Sequence, residues 1–311
     1  MNLVILLLLC GFDFKQMKKI LYIFGIIAFF SSCNEDKLDS ESIFDTTPPV
    51  RLEFDNWLLR NYTDMYNIDF KYKLENKETS FQYYLTPAKM EKSIALAKII
   101  KHVWLDSYSE IAGETFTKKY VPRVIHLIGS PAYENNGTMV LGTAEGGLKV
   151  TLYMVNQIDV DNIKMDMLNY YYLKTMHHEF GHILHQTKNY DPTYKLISEG
   201  KYVGGNWYLQ EQEIGLAEIL RMGFITPYSM NIPDDDFVEL LAVYLTDTPY
   251  SWEYIIEHAE VPAVGKAILN QKLSILKKYM DESWGVDLDE LRKIVKRRTA
   301  EVKNLDLKNL D

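Results

Sequence analysis

Residues 175–186 read TMHHEFGHILHQ, and within them His178, Glu179 and His182 form H-E-x-x-H. Residues 166–187 carry apolar positions at the spacing of one long helix, so the motif sits on a helix. Positions i and i+4 of a helix share a face one turn apart. Two imidazoles placed that way can converge on a single Zn2+ at ~2.0–2.1 Å. Glu179 beside them can take the proton of a water that the metal activates. Two further His flank the pair. His177 points about 100° away from His178 and reads as a structural residue. His185 lies ~10.5 Å along the axis from His178, too far to share its metal, and reads as a packing residue or one that touches a ligand. Lys188 occupies the place where the longer H-E-x-x-H-x-x-G-x-x-H pattern puts a third His.

A catalytic zinc needs a third protein ligand and an open position for water. Glu199, Glu211, Glu213, Glu218 and Glu239 are the candidates, and spacing does not choose among them. Residues 234–245, DDDFVELLAVYL, read as an amphipathic helix in which Phe237, Leu240, Leu241 and Tyr244 surround a single Glu. A lone carboxylate among apolar neighbours is costly unless it is paired or binds a metal. Glu239 is therefore the favoured ligand for one zinc. Glu218 is its rival, and an exposed Glu on a polar face is the plain alternative. Asp234–Asp236 read as the cap of that helix.

The rest of the chain predicts an α+β fold, with strands in the first half and helices in the second. Expected elements are a helix over 51–63, a half-buried strand over 66–74 with Ile68, Phe70 and Tyr72 inward, and a helix over 87–108. A buried strand follows over 121–129, and then a strand over 147–155 with Leu148, Val150, Leu152 and Met154 on one face. After a loop through residue 206, helices are expected over 209–222, 235–246, 251–280 and 288–303. Apolar residues make up 47% and charged residues 25% of the 311, enough for a large core behind one domain, 49–311. Net charge is −9, which argues against a nucleic-acid partner, because phosphate neutralisation needs clustered Lys and Arg.

Both cysteines, Cys10 and Cys33, precede that domain, so it has neither disulfides nor Cys-bound metal. Residues 17–33, MKKILYIFGIIAFFSSC, pair a positive start with an apolar stretch from Ile20 to Phe30, too short to span a bilayer. The segment reads as a signal peptide over 1–32, with Met17 the simplest start, and Ser31-Ser32-Cys33 resembles a lipobox. Cys33 is the expected lipidation site, residues 33–48 the polar tether, and the lipid the only membrane attachment.

HEFGHILHQ (178–186), GFITPYS (223–229) and DDFVELLAVYL (235–245) together resemble the substrate import-associated zinc metallohydrolase lipoproteins of Gram-negative bacteria. The resemblance covers the lipobox and most of residues 50–300. It implies a zincin-like metallopeptidase fold, a small mixed sheet with the active-site helix followed by a mainly helical C-terminal half. In zincin-type peptidases a strand placed like 147–155 lies at the sheet edge and pairs with an extended substrate. The resemblance also implies a peptide or protein substrate and one zinc, with Glu239 as third ligand. Val238 stands where that family usually has Ala. Tyr228 comes into view as a hydroxyl able to donate to a developing oxyanion. The implied place is the outer membrane, on its surface or its periplasmic face, beside a TonB-dependent importer and its surface-binding lipoprotein. Two other functions fit the same residues: a non-catalytic ligand-binding lipoprotein of an importer, and a zinc hydrolase of a non-peptide amide or glycoconjugate.

Overall fold

Two short runs with β-branched residues, VIHL and KVTL, form the middle of a four-stranded sheet in the order β1-β2-β6-β5. Strands β1 (Asp69–Lys71), β2 (Val124–Leu127) and β6 (Lys149–Leu152) are parallel, whereas β5 (Gly142–Glu145) runs antiparallel to β6. Between β2 and β5 the chain makes a small hairpin of β3 (Ala132–Tyr133) and β4 (Met139–Val140). This computed structural model describes Lys19 and residues 50–310, apart from 76–78, 80, 81, 141, 146, 247–250 and 258–260. Apart from Lys19, the expected signal peptide (1–32), Cys33 and the expected tether (33–48) lie outside the described residues. The elements below all belong to one unit, Arg51–Asp311.

The 147–155 strand forms, but as an interior strand rather than the edge. β6 is flanked on both sides, and all four of its residues are buried. Continuous burial marks a central strand, and the apparent alternation ended at Leu148, which is 64% exposed. The outer strand on that side is β5, whose sequence GTAE carries no apolar alternation to announce it.

Helices account for most of the remainder. Helix α1 starts as Glu53–Leu58 and continues through a wider turn, Leu59–Thr63, to Asp64–Tyr66, where Asn67 at φ 57° ends it. Helix α2 runs from Met90–Ile99 through Ile100–Leu105 to Asp106–Ala112, and α3 is Glu114–Tyr120. Helix α4 is continuous over 165–187, through Met165–Leu168 and Asn169–Leu173 into Lys174–Thr187, the segment that holds the motif. A short α5 (Thr193–Ile197) follows, inside what the sequence reads as loop. The helix expected over 209–222 is two, α6 (Trp207–Ile214) and α7 (Leu216–Arg221), because Gly215 turns the chain at φ 77°. Next come α8 (Pro233–Leu245), α9 (Trp252–Glu257), α10 (Ala263–Trp284) and α11 (Leu288–Glu301). The fold is thus α+β, with a small mixed sheet and a mainly helical C-terminal half.

Helix α8 is not amphipathic. Every residue from Asp235 to Leu245 is buried, so this helix runs through the core and its carboxylates go with it. Helix α4 packs directly on it, and Gly181 sets the distance. A Cβ at position 181 would meet Val238 Cγ1 at 2.9 Å and Leu241 Cδ2 at 3.1 Å. Gly→Ala inside a helix ordinarily gains about 1 kcal/mol. Here Gly181→Ala is expected to cost about 1–3 kcal/mol through overpacking, read as a lower melting temperature for the metal-free protein.

Candidate metal centre

The two packed helices present their polar residues in opposite chain order. Earlier residues of α4 meet later residues of α8: Lys174 and His178 face Glu239, and His182 faces Asp235. Each pair on one helix is four residues apart, so both helices repeat their polar positions once per turn along a shared seam.

His178, His182 and Asp235 can each offer one ligand atom, and those atoms all lie within 4.8 Å of one another. His182 Nε2 stands 3.2 Å from Asp235 Oδ1. Two ligands at 2.0–2.1 Å in a tetrahedron are ~3.4 Å apart, so this spacing suits zinc. The second polar atom of each residue is already engaged. His178 Nδ1 donates to Glu239 Oε2 at 3.0 Å, His182 Nδ1 lies 2.9 Å from His185 Nε2, and Asn231 Nδ2 donates to Asp235 Oδ2 at 2.5 Å. By elimination the atoms left for a metal are His178 Nε2, His182 Nε2 and Asp235 Oδ1, two imidazoles and a carboxylate. That donor set fits zinc.

Glu239, expected as the third ligand, is not brought into this group. It is 1% exposed and surrounded by donors: Lys174 Nζ at 2.8 Å and Thr226 Oγ1 at 2.9 Å on Oε1, His178 on Oε2. Burial alone would raise its pKa, but the Lys174 ammonium and His178 outweigh that and hold the carboxyl well below the usual range. Its apolar surroundings were read correctly as demanding a partner, and the partners are Lys174 and His178. Asp235, read from sequence as part of a helix cap, is the carboxylate that stands with His178 and His182, one turn earlier. The legible signal was a second i,i+4 pair: Asp235 and Glu239 on α8 mirror His178 and His182 on α4. The rival Glu218 pairs with Arg221 on the surface.

Glu179 and Tyr228 both line a cleft of about 670 Å³ that opens over His178. Its walls include Glu134 and Met139 from the β3–β4 hairpin region, and Trp207 and Glu211 from α6. Tyr228 sits on the short turn Pro227–Met230, whose preceding Thr226 both caps the turn through Ser229 N and reaches Glu239. The Tyr228 ring lies 5.5 Å from that of His178 and is braced edge-on by Trp207 at 4.9 Å. Burial first, then the charges of Asp235, Glu239 and Glu179, push its phenol pKa far up, so the hydroxyl stays a donor. His177 faces the core instead, 3.0 Å from the Tyr108 hydroxyl, and burial lowers its pKa to about 3.

The family described as "Putative zinc-binding metallo-peptidase" matches residues 48–289. The chain belongs to this family. A crystal structure described in the same words, from Bacteroides caccae, is 48% identical and superposes with a TM-score of 0.71, covering 87% of this chain and 100% of that one. No curated protein matches. The match spans α4, the Thr226–Tyr228 turn and α8, so every residue of the centre falls inside it.

Proposed function

We propose that this chain is a zinc-dependent peptidase in which His178, His182 and Asp235 hold the metal and Glu179 is the general base. The observation that carries this is the His178–His182–Asp235 group, in which each residue's other polar atom is tied back by the protein. A zinc ion bound there supplies Lewis-acid polarisation of a carbonyl and lowers the pKa of water. Glu179, in the cleft lining, takes the proton from the attacking water and returns it to the leaving amine. Tyr228, kept protonated, donates to the scissile carbonyl oxygen as negative charge grows on it. Glu239 does not touch substrate chemistry; with Lys174 and Thr226 it holds the His178 ring. A cleft of this size takes several residues of an extended chain, and the outer strand β5 offers backbone groups to pair with it. We further propose that Cys33 carries the lipid anchor of an outer-membrane protein serving an importer, a reading supported by the leader sequence and by the resemblance described above.

Metal content tests the site. Wild-type protein is expected to hold about one zinc, lost in both His182→Ala and Asp235→Ala. Glu239→Gln is expected to keep zinc with affinity weakened about 10–100-fold, as for a residue behind a ligand. Zinc retained in Asp235→Ala but lost in Glu239→Gln would return the third-ligand role to Glu239. A wild type that binds no zinc would leave the non-catalytic lipoprotein.

A further inference from the structure

A second cavity, of about 310 Å³, shares no lining residue with the cleft and is bounded by His185, Asn189, Tyr190, Pro192, Lys195 and Asp234. His185 reaches the metal group from that side, and Tyr190 packs behind it. His185 Nε2 lies 2.9 Å from His182 Nδ1. The Tyr190 ring meets His185 edge-on at 5.6 Å and stacks flat on Phe237 at 4.0 Å and 9°. Its hydroxyl donates to Asp234 Oδ1 at 2.5 Å, where Lys195 Nζ also binds at 2.9 Å. Asp234 and Phe237 bracket Asp235 on the first turn of α8.

We infer that His185 and Tyr190 are positioning residues for the metal, His185 acting on His182 and Tyr190 on the turn that carries Asp235. This rests on the zinc site proposed above. His182 has two nitrogens and one proton when neutral. A proton on Nε2 would satisfy Asp235 Oδ1 by a hydrogen bond and remove the lone pair that a metal needs. An acceptor at Nδ1 decides the matter, because the proton then sits on Nδ1 and Nε2 is free. His185 supplies that acceptor. A buried imidazole at this place would be costly without a polar partner, and the partner it has is the ligand. The two ligand histidines are thus held differently, His178 by a carboxylate and His182 by another imidazole.

Zinc affinity by chelator competition, the visible spectrum of the Co2+-loaded protein, and melting of the metal-free protein test this on the full chain. His185→Phe keeps a ring but has no acceptor. It is expected to weaken zinc binding about 10–100-fold, to shift the Co2+ bands, and to melt near wild type when metal-free. His185→Gln presents a carbonyl acceptor and is expected to recover most of the affinity. Tyr190→Phe keeps the stacking and loses only the Asp234 bond, so a smaller loss is expected. Wild-type affinity in His185→Phe would overturn the inference. So would equal losses of affinity and of metal-free stability in the Phe and Gln variants, which is how a mere packing role reads out. If the wild type itself binds no zinc, the site proposal falls and this one with it, a result distinct from wild-type binding that is insensitive to position 185.

Discussion

Glu179→Gln is expected to lower peptide hydrolysis by about 10²–10⁴-fold, the range for losing a positioned general base, with about one zinc still bound. The separation follows from how the carboxylates of the site are used. Asp235 is engaged by Asn231 and faces His182, and Glu239 is held by Lys174, Thr226 and His178. Both already have partners. Glu179 lines the cleft beside His178, and among the described residues nothing donates a hydrogen bond to it. It is the carboxylate left available to move a proton. Gln matches Glu in size and has no basic oxygen of comparable strength, so packing and metal binding should survive. Turnover of a quenched-fluorescent peptide library, measured beside metal content on the same samples, checks both halves. Undiminished turnover in the variant would remove Glu179 from the chemistry. Loss of zinc along with turnover would show that it supports the metal rather than the water.

How much of this was legible depended on where each constraint originates. The H-E-x-x-H helix could be read because its geometry is local, one turn of one helix. The carboxylate that stands with the two His could not, because it is set by how α8 docks on α4. The close approach at Gly181 places α8 so that Asp235 meets His182 while Glu239 meets His178. A slide of one turn would have set Glu239 opposite His182 and carried Asp235 on to Gln186. Three consecutive Asp at a helix start also look like a complete capping signal, and that local explanation hid a tertiary one. The sheet shows the same division. Burial of Val150 and Leu152 was legible, but the position of β6 inside the sheet depended on β5, whose GTAE sequence has no periodicity of its own.

The packing of α10 on α8 produces the largest expected effect on stability. Lys272 on α10 is fully buried, donating to Asp236 Oδ2 at 2.6 Å and to Gly223 O at 2.7 Å, with its ammonium 4.4 Å over the Phe224 ring. Tyr202 donates to the same Asp236 oxygen at 2.9 Å, while Oδ1 has no hydrogen-bond partner among the described residues. Burial pushes the Asp236 carboxyl up and the Lys272 ammonium down, against their mutual attraction. Such a pair adds little net stability, yet removing one partner strands the other charge in the core. Lys272→Met is therefore expected to cost about 3–5 kcal/mol, a large part of the 5–15 kcal/mol typical of a folded domain. Adding Asp236→Asn removes the stranded charge and keeps an acceptor for Tyr202, so the double variant should recover much of the loss. Denaturant unfolding of the metal-free single and double variants gives the coupling directly. A double variant no more stable than Lys272→Met would mean that the cost lies in the lost Gly223 and ring contacts instead. Because Asp236 adjoins Asp235, the single variant should also weaken zinc binding, whereas the double variant should regain affinity as it regains stability.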